Sequence, residues 1–121
     1  MKYLISILLI YFTSIGFVNA NPFVLNATTS TYEIIGDDCL MIQAIGKSAI
    51  YSKTNGMLEV AIIASLVRPA FMAQSNFRAM LPYATVMIHD IYDAKKDEVK
   101  VVASHYEKCN KTVGESISYF N

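Results

Sequence analysis

The chain has two cysteines, Cys39 and Cys109, and they bracket nearly all of its helical patterning. One opens the first amphipathic pattern and the other closes the last. A bond between them requires Cα atoms within about 7 Å. The first and last helices must then lie antiparallel or nearly so, with the start of one beside the end of the other. Closing so long a loop removes roughly 4 kcal/mol of freedom from the unfolded chain on the chain-entropy estimate.

Whether two cysteines bond depends on the compartment. Met1-Lys2 supplies a short positive start, Leu4 to Phe17 is almost continuously apolar, and Val18-Asn19-Ala20 is a small-residue pattern that signal peptidase accepts. The expectation is a signal peptide cleaved after Ala20, not an anchor, because the apolar run is short for a span. No cysteine stands at the cut, which argues against a lipoprotein. Export to the periplasm makes an even cysteine pair read as a disulfide; in the cytosol it would read as a metal or redox pair. The remaining residues, roughly 100, form one small domain of a size that often needs a covalent staple. Ten basic residues balance ten acidic ones, and no basic stripe alternates with aromatics, so nucleic acid is not an implied partner.

The expected organisation is a signal peptide over 1–20, an extended leader over 21–36, a helical disulfide-bonded domain over 37–110 and a tail over 111–121. The leader carries Pro22 and a Thr/Ser run, with Phe23, Val24 and Leu25 available to pack on the domain. Asn26-Ala27-Thr28 and Asn110-Lys111-Thr112 fit glycosylation acceptors in a eukaryotic host. Asp37 or Asp38 is a candidate N-cap. From there Met41, Ile42, Ile45 and Ala49 recur at the helical period to about Thr54. Gly56 suits the left-handed position that closes such a helix.

Met57 to Val67 is apolar nearly all round with Glu59 its only charge. It is too short to cross a bilayer, and the pattern predicts a buried helix wedged between the others, ended by Pro69. No stable membrane insertion is therefore expected once the signal is cleaved. A third helix is expected from Ser75 or Asn76 to about Tyr92, kinked or restarted at Pro82, with Ala84, Met87, Ile88 and Ile91 on one face. Asp93 to Lys96 reads as a polar turn. The last helix places Asp97 and Glu98 in its first turn, and Val99, Val102, Tyr106 and Cys109 on one stripe. The tail carries an alternating Ser-Ile-Ser-Tyr-Phe too short to assign by itself. The fold class expected is all-α, a bundle of about four helices stapled between the first and last.

Several of these residues carry a resemblance. An N-terminal signal, a cysteine opening the first helix, Lys53 three before Gly56, the pair Ile91-Tyr92 and Tyr106 three before Cys109 resemble a group of small two-cysteine helical proteins. Those are exported by Gram-negative bacteria and their phages and are mostly of unknown function. The likeness spans Cys39 to Cys109. The chain departs from that pattern in having Lys53 where arginine is common, and in its tail. The resemblance implies a periplasmic, disulfide-bonded helical fold and no catalytic residue.

No constellation demands chemistry. His89 and Asp93 are one helical turn apart, a spacing that can serve a metal, but no further ligand is placed beside them; His105 and Glu59 fall on other helices. Met41, Met57, Met72, Met80 and Met87 are spread across elements, which reads as core filling and not as a copper(I) site. Ser48, Ser65, Ser75 and Ser104 lack a nucleophile's context, and the cysteines are not in a CxxC arrangement. Tyr51, Tyr83, Tyr92 and Tyr106 at helical spacing straddle core and surface. No catalytic residue, metal or cofactor is expected.

What the sequence favours is a non-enzymatic exported module that binds an envelope protein, as an inhibitor or immunity factor of an envelope enzyme. A periplasmic stress chaperone and a metal or small-ligand carrier are the alternatives. The surplus of apolar residues over what a small core can use places the expected interaction surface at Met57, Leu58 and Ile62, or at the aromatic tail Tyr119-Phe120.

Overall fold

A computed structural model describes residues 29–120. The expected signal peptide, its cleavage point after Ala20, the first part of the leader with its Asn26 triplet, and Asn121 lie outside the described residues. In chain order the elements are β1 (Thr29–Glu33), α1 (Gly36–Thr54), α2 (Glu59–Leu66), α3 (Pro69–Met72), α4 (Ser75–Asp93), α5 (Glu98–Lys111) and β2 (Ser116–Phe120).

Helix α1 is the spine on which α4 and α5 pack. Its N-cap is Ile35, ahead of the two aspartates expected there. Isoleucine has no side-chain acceptor, so only the reciprocal half of a capping box forms: the Asp38 carboxylate accepts the Ile35 N–H at 2.9 Å. The same buried carboxylate accepts the Tyr32 hydroxyl at 2.9 and 2.8 Å. Desolvation first, then this bond to Asp38, pushes the Tyr32 phenol up to about 12. The other end of α1 closes as expected. Gly56 sits at φ +84°, its N–H donates to the Lys53 carbonyl, and the Met57 N–H donates to the Ser52 carbonyl. Those paired bonds are a Schellman closure, which requires the left-handed residue.

Cys39 and Cys109 are bonded, with Cα atoms 5.5 Å apart. The bond fixes an antiparallel register between α1 and α5. One heptad along α1 from Cys39 stands Gly46, and one heptad back along α5 from Cys109 stands Val102. There a Cβ on Gly46 would lie 2.7 and 2.8 Å from the two Val102 methyl carbons. A further heptad along α1, Lys53 donates from Nζ to the carbonyls of Ile91 and Ala94, at 2.9 and 2.8 Å. Those carbonyls belong to the end of α4, where the backbone has no helical donor.

Helix α4 presents Ala84, Met87, Ile88 and Ile91 to the core, all buried as the period predicts. It runs unbroken through Pro82. The proline removes one N–H, and packing on both sides of the position keeps the helical path. In α5 the inward stripe starts at Glu98 and not at Val99. Val99 is 72 % exposed, while Val102 and Cys109 are buried. Glu98 turns in beside Lys53, 4.0 Å away. No helix among the described residues is long and apolar enough to cross a membrane.

The all-α expectation needs one correction. Leader and tail pair as a two-stranded antiparallel sheet, from Thr29 against Phe120 to Glu33 against Ser116. Both strands alternate, with Ser30, Tyr32, Ile117 and Tyr119 turned in and their neighbours exposed. At its start Gly114, at φ +93°, donates to the Ile34 carbonyl, while the Ile34 N–H donates to the Glu115 carbonyl. Two residues thus oppose one, a bulge of the type that takes glycine in the left-handed region. Two short strands alone are marginal in water; here they rest against α4.

Candidate functional site

Helix α2 is shorter than the apolar run that encodes it, and it is not wedged inside the bundle. Eight residues make little more than two turns, so only one face can meet α4. That face buries Ile62 and Leu66, whereas Leu58 at 70 % and Val60 at 69 % stand exposed beside Met57. Between α1 and the α2–α3 arm lies a groove of about 570 Å³. Helix α1 gives it Met41, Ala44, Ile45, Ser48 and Ser52, a face distinct from the Cys39–Ile42–Gly46 stripe that meets α5. Alanine and serine at three of those positions leave room that leucines would fill. Leu66 and Phe71 line the arm side, joined by Phe77 from the start of α4, the two phenylalanine rings stacked at 5.0 Å. Ser65, Arg68 and Gln74 add polar groups.

The arm is tied to the bundle by polar contacts at its start. Tyr92 donates its hydroxyl to the Met57 carbonyl. His89 places Nδ1 2.9 Å from Glu59 on α2 and Nε2 3.4 Å from Asp93 one turn along α4. The bond to Glu59, then the charge of Asp93, raises the His89 pKa above its ordinary value. Each ring nitrogen thus faces a carboxylate, the arrangement of an ion-pair bridge. At the far end Arg78 donates to the Met72 carbonyl at 2.6 Å, and its guanidinium lies 5.7 Å from the Tyr119 ring centre.

The expected interaction residues therefore divide. Met57 lines the groove and is exposed, and Leu58 adjoins it in the chain. Ile62 also lines the groove but is 6 % exposed and packed in the core, so it offers little free surface. Tyr119 is half-covered by its contact with Arg78, and Phe120 is exposed at the end of β2; neither lines the groove. His89, whose spacing to Asp93 was weighed for a metal and set aside, contacts both Asp93 and Glu59, and His105 pairs with Asp90 at 2.8 Å. Sequence reasoning missed Ser48, Ser52, Phe71 and Phe77. The first two were legible as small residues one turn apart on α1; Phe71 falls just after Pro69, where no period holds, and Phe77 in the first turn of the third expected helix.

Lys53, Gly56 and Tyr92 share one physical role. Lys53 ends α4, its ammonium 5.8 Å from the Tyr92 ring centre, and Tyr92 holds the loop that Gly56 turns. Together they clasp the end of α1, the start of the arm and the end of α4. Compared with protein-family models, curated proteins and solved structures, the chain matches none.

Proposed function

We propose that the chain is a small exported, non-enzymatic binding module of the periplasm, acting on an envelope protein as an inhibitor or immunity factor of an envelope enzyme. The observation that carries this reading is the α1–α2 groove with Met57, Leu58 and Val60 exposed along the arm. Contiguous exposed apolar surface on so small a domain marks a partner site more often than not, and a helix or loop of a second protein is the kind of group such a groove takes. Export is supported by the Cys39–Cys109 bond, which persists in an oxidising compartment.

The test pairs capture with inhibition. The disulfide-bonded protein, purified after export, is used as bait on envelope extract, and any captured enzyme is assayed with and without it. A Leu58→Asp/Val60→Asp variant changes only exposed positions and should melt as the parent does. The reading expects the parent to capture and inhibit one enzyme and the variant to do neither. Capture that is indifferent to the variant, or capture without inhibition, overturns it.

A further inference from the structure

A second groove lies between α4 and α5. Both helices pack chiefly on α1 and only lightly on each other. The cleft left between them has a floor of Ile42 and the Cys109 end of the disulfide, and a volume of about 400 Å³. Its walls are Met80, Tyr83 and Val86 from α4 and Thr112 just past the end of α5, almost wholly apolar, with Tyr83 and Val86 exposed at the lip. That is the size and lining of a small-ligand site.

Its polar end is specific. His105 and Lys108 line this cleft and also a shallower one next to it, whose other residues include Lys96, Lys100, Asp90 and Asp97. Successive turns of α5 thus line one trough that is apolar towards Thr112 and charged towards Lys100. None of these three lysines has an ion pair among the described residues, whereas Asp90 is engaged by His105. Leaving His105 aside, three lysines against two aspartates leave one positive charge. Cationic heads beside an apolar slot complement a molecule with one negative end and one alkyl tail.

We propose that the α4–α5 groove binds a single-chain monocarboxylate amphiphile, a free fatty acid, with the tail along Met80, Tyr83 and Val86 and the carboxylate at Lys108. This does not rest on the reading of the α1–α2 groove, which uses a different pair of helices.

The experiment titrates the disulfide-bonded exported protein with dodecanoate below its micelle concentration, following binding by calorimetry and the affected residues by NMR. Dodecanol, dodecyltrimethylammonium and phosphatidylglycerol vesicles are the comparison probes. Saturable one-to-one binding of dodecanoate with shifts at Tyr83, Val86 and Thr112 supports the proposal. Lys108→Gln should weaken dodecanoate roughly ten-fold, the loss expected for one charge-assisted hydrogen bond, and leave dodecanol unchanged. Val86→Asp should weaken both. Both positions are exposed, so neither change threatens the fold. Equal affinity for dodecyltrimethylammonium, binding to vesicles alone, or shifts confined to the α1–α2 groove overturns the proposal. So does a concentration-dependent dimer abolished by Val86→Asp, which would make a second copy the occupant.

Discussion

Gly46→Ala is the substitution on which the packing of α1 against α5 can be judged. In an exposed helix it would stabilise, since alanine exceeds glycine by about 1 kcal/mol in helix propensity. Here the new methyl meets the Val102 carbons at 2.7 and 2.8 Å and the Met87 sulphur at 3.1 Å. Methionine can yield. Valine in a helix has one strongly preferred side-chain rotamer, and with both methyls facing Gly46 no rotation clears the contact. The helices themselves must part, yet the Cys39–Cys109 bond one heptad away holds them.

Overpacking of this kind costs about 1–3 kcal/mol. Since the contacts are severe, the upper part of that range applies, and a net loss of roughly 1–2 kcal/mol remains after the propensity gain. For a domain of this size each kcal/mol lowers Tm by about 4–8 °C, so calorimetry should show a fall of roughly 5–15 °C. Adding Val102→Ala should recover at least about 1 kcal/mol relative to the sum of the single changes, because the two sites touch. A Gly46→Ala protein that melts higher than its parent, or strict additivity with Val102→Ala, would refute the close crossing of α1 and α5.

Three other outcomes follow from the same contacts. Cys39→Ser/Cys109→Ser reopens a loop with a sequence separation of 70, which lowers stability by about 4 kcal/mol on the chain-entropy estimate; urea unfolding of parent and variant measures it. Lys53→Met leaves the Ile91 and Ala94 carbonyls without their donor and should cost about 2 kcal/mol, whereas Glu98→Gln, at the long end of an ion-pair distance, should change the urea midpoint little. His89, raised above its ordinary value by Glu59 and Asp93, contributes fully below the unfolded value of about 6.5 and loses its contribution as pH rises through the folded value. Amide exchange over Glu59–Leu66, corrected for intrinsic rate, should therefore be slower at pH 6 than at pH 8 in the parent and alike at both in His89→Gln.

Local patterns carried much of the fold. The period of Ala84, Met87, Ile88 and Ile91 identified the buried face of α4, and Gly56 marked the end of α1, because both depend on neighbours along one helix. The sheet needed contacts from opposite ends of the chain. Thr29–Glu33 and Ser116–Phe120 each alternate over five residues, too few to stand out singly. Yet one lies just before Cys39 and the other just after Cys109, so the disulfide already places them side by side. The heptads linking Cys39 to Gly46 and Val102 to Cys109 were likewise legible once the bond was accepted. Misreading Val99 as buried came from treating the valine as the natural start of the stripe, where the helix begins one residue earlier and Glu98 has Lys53 to face. The α1–α2 groove was not legible, since an all-round apolar segment reads as buried unless its short length limits it to one contact face.

That groove is bounded by parts held in different ways. Helices α1, α4 and α5 form a frame fixed by the disulfide, by the Gly46–Val102 crossing and by Lys53 at the end of α4. The α2–α3 arm leans on that frame through Ile62 and Leu66 and through the His89–Glu59 and Tyr92–Met57 contacts. Local opening draws on regions with few buried apolar contacts, so the arm sets the groove's width while the frame sets its place. Its polar tie has a definite response to acid. Protonating His89 strengthens the bond to Glu59. A chaperone that exposes apolar surface in mild acid would need the opposite sign. The His89–Glu59 bridge instead holds the arm more firmly as the pH falls from neutral into mild acid.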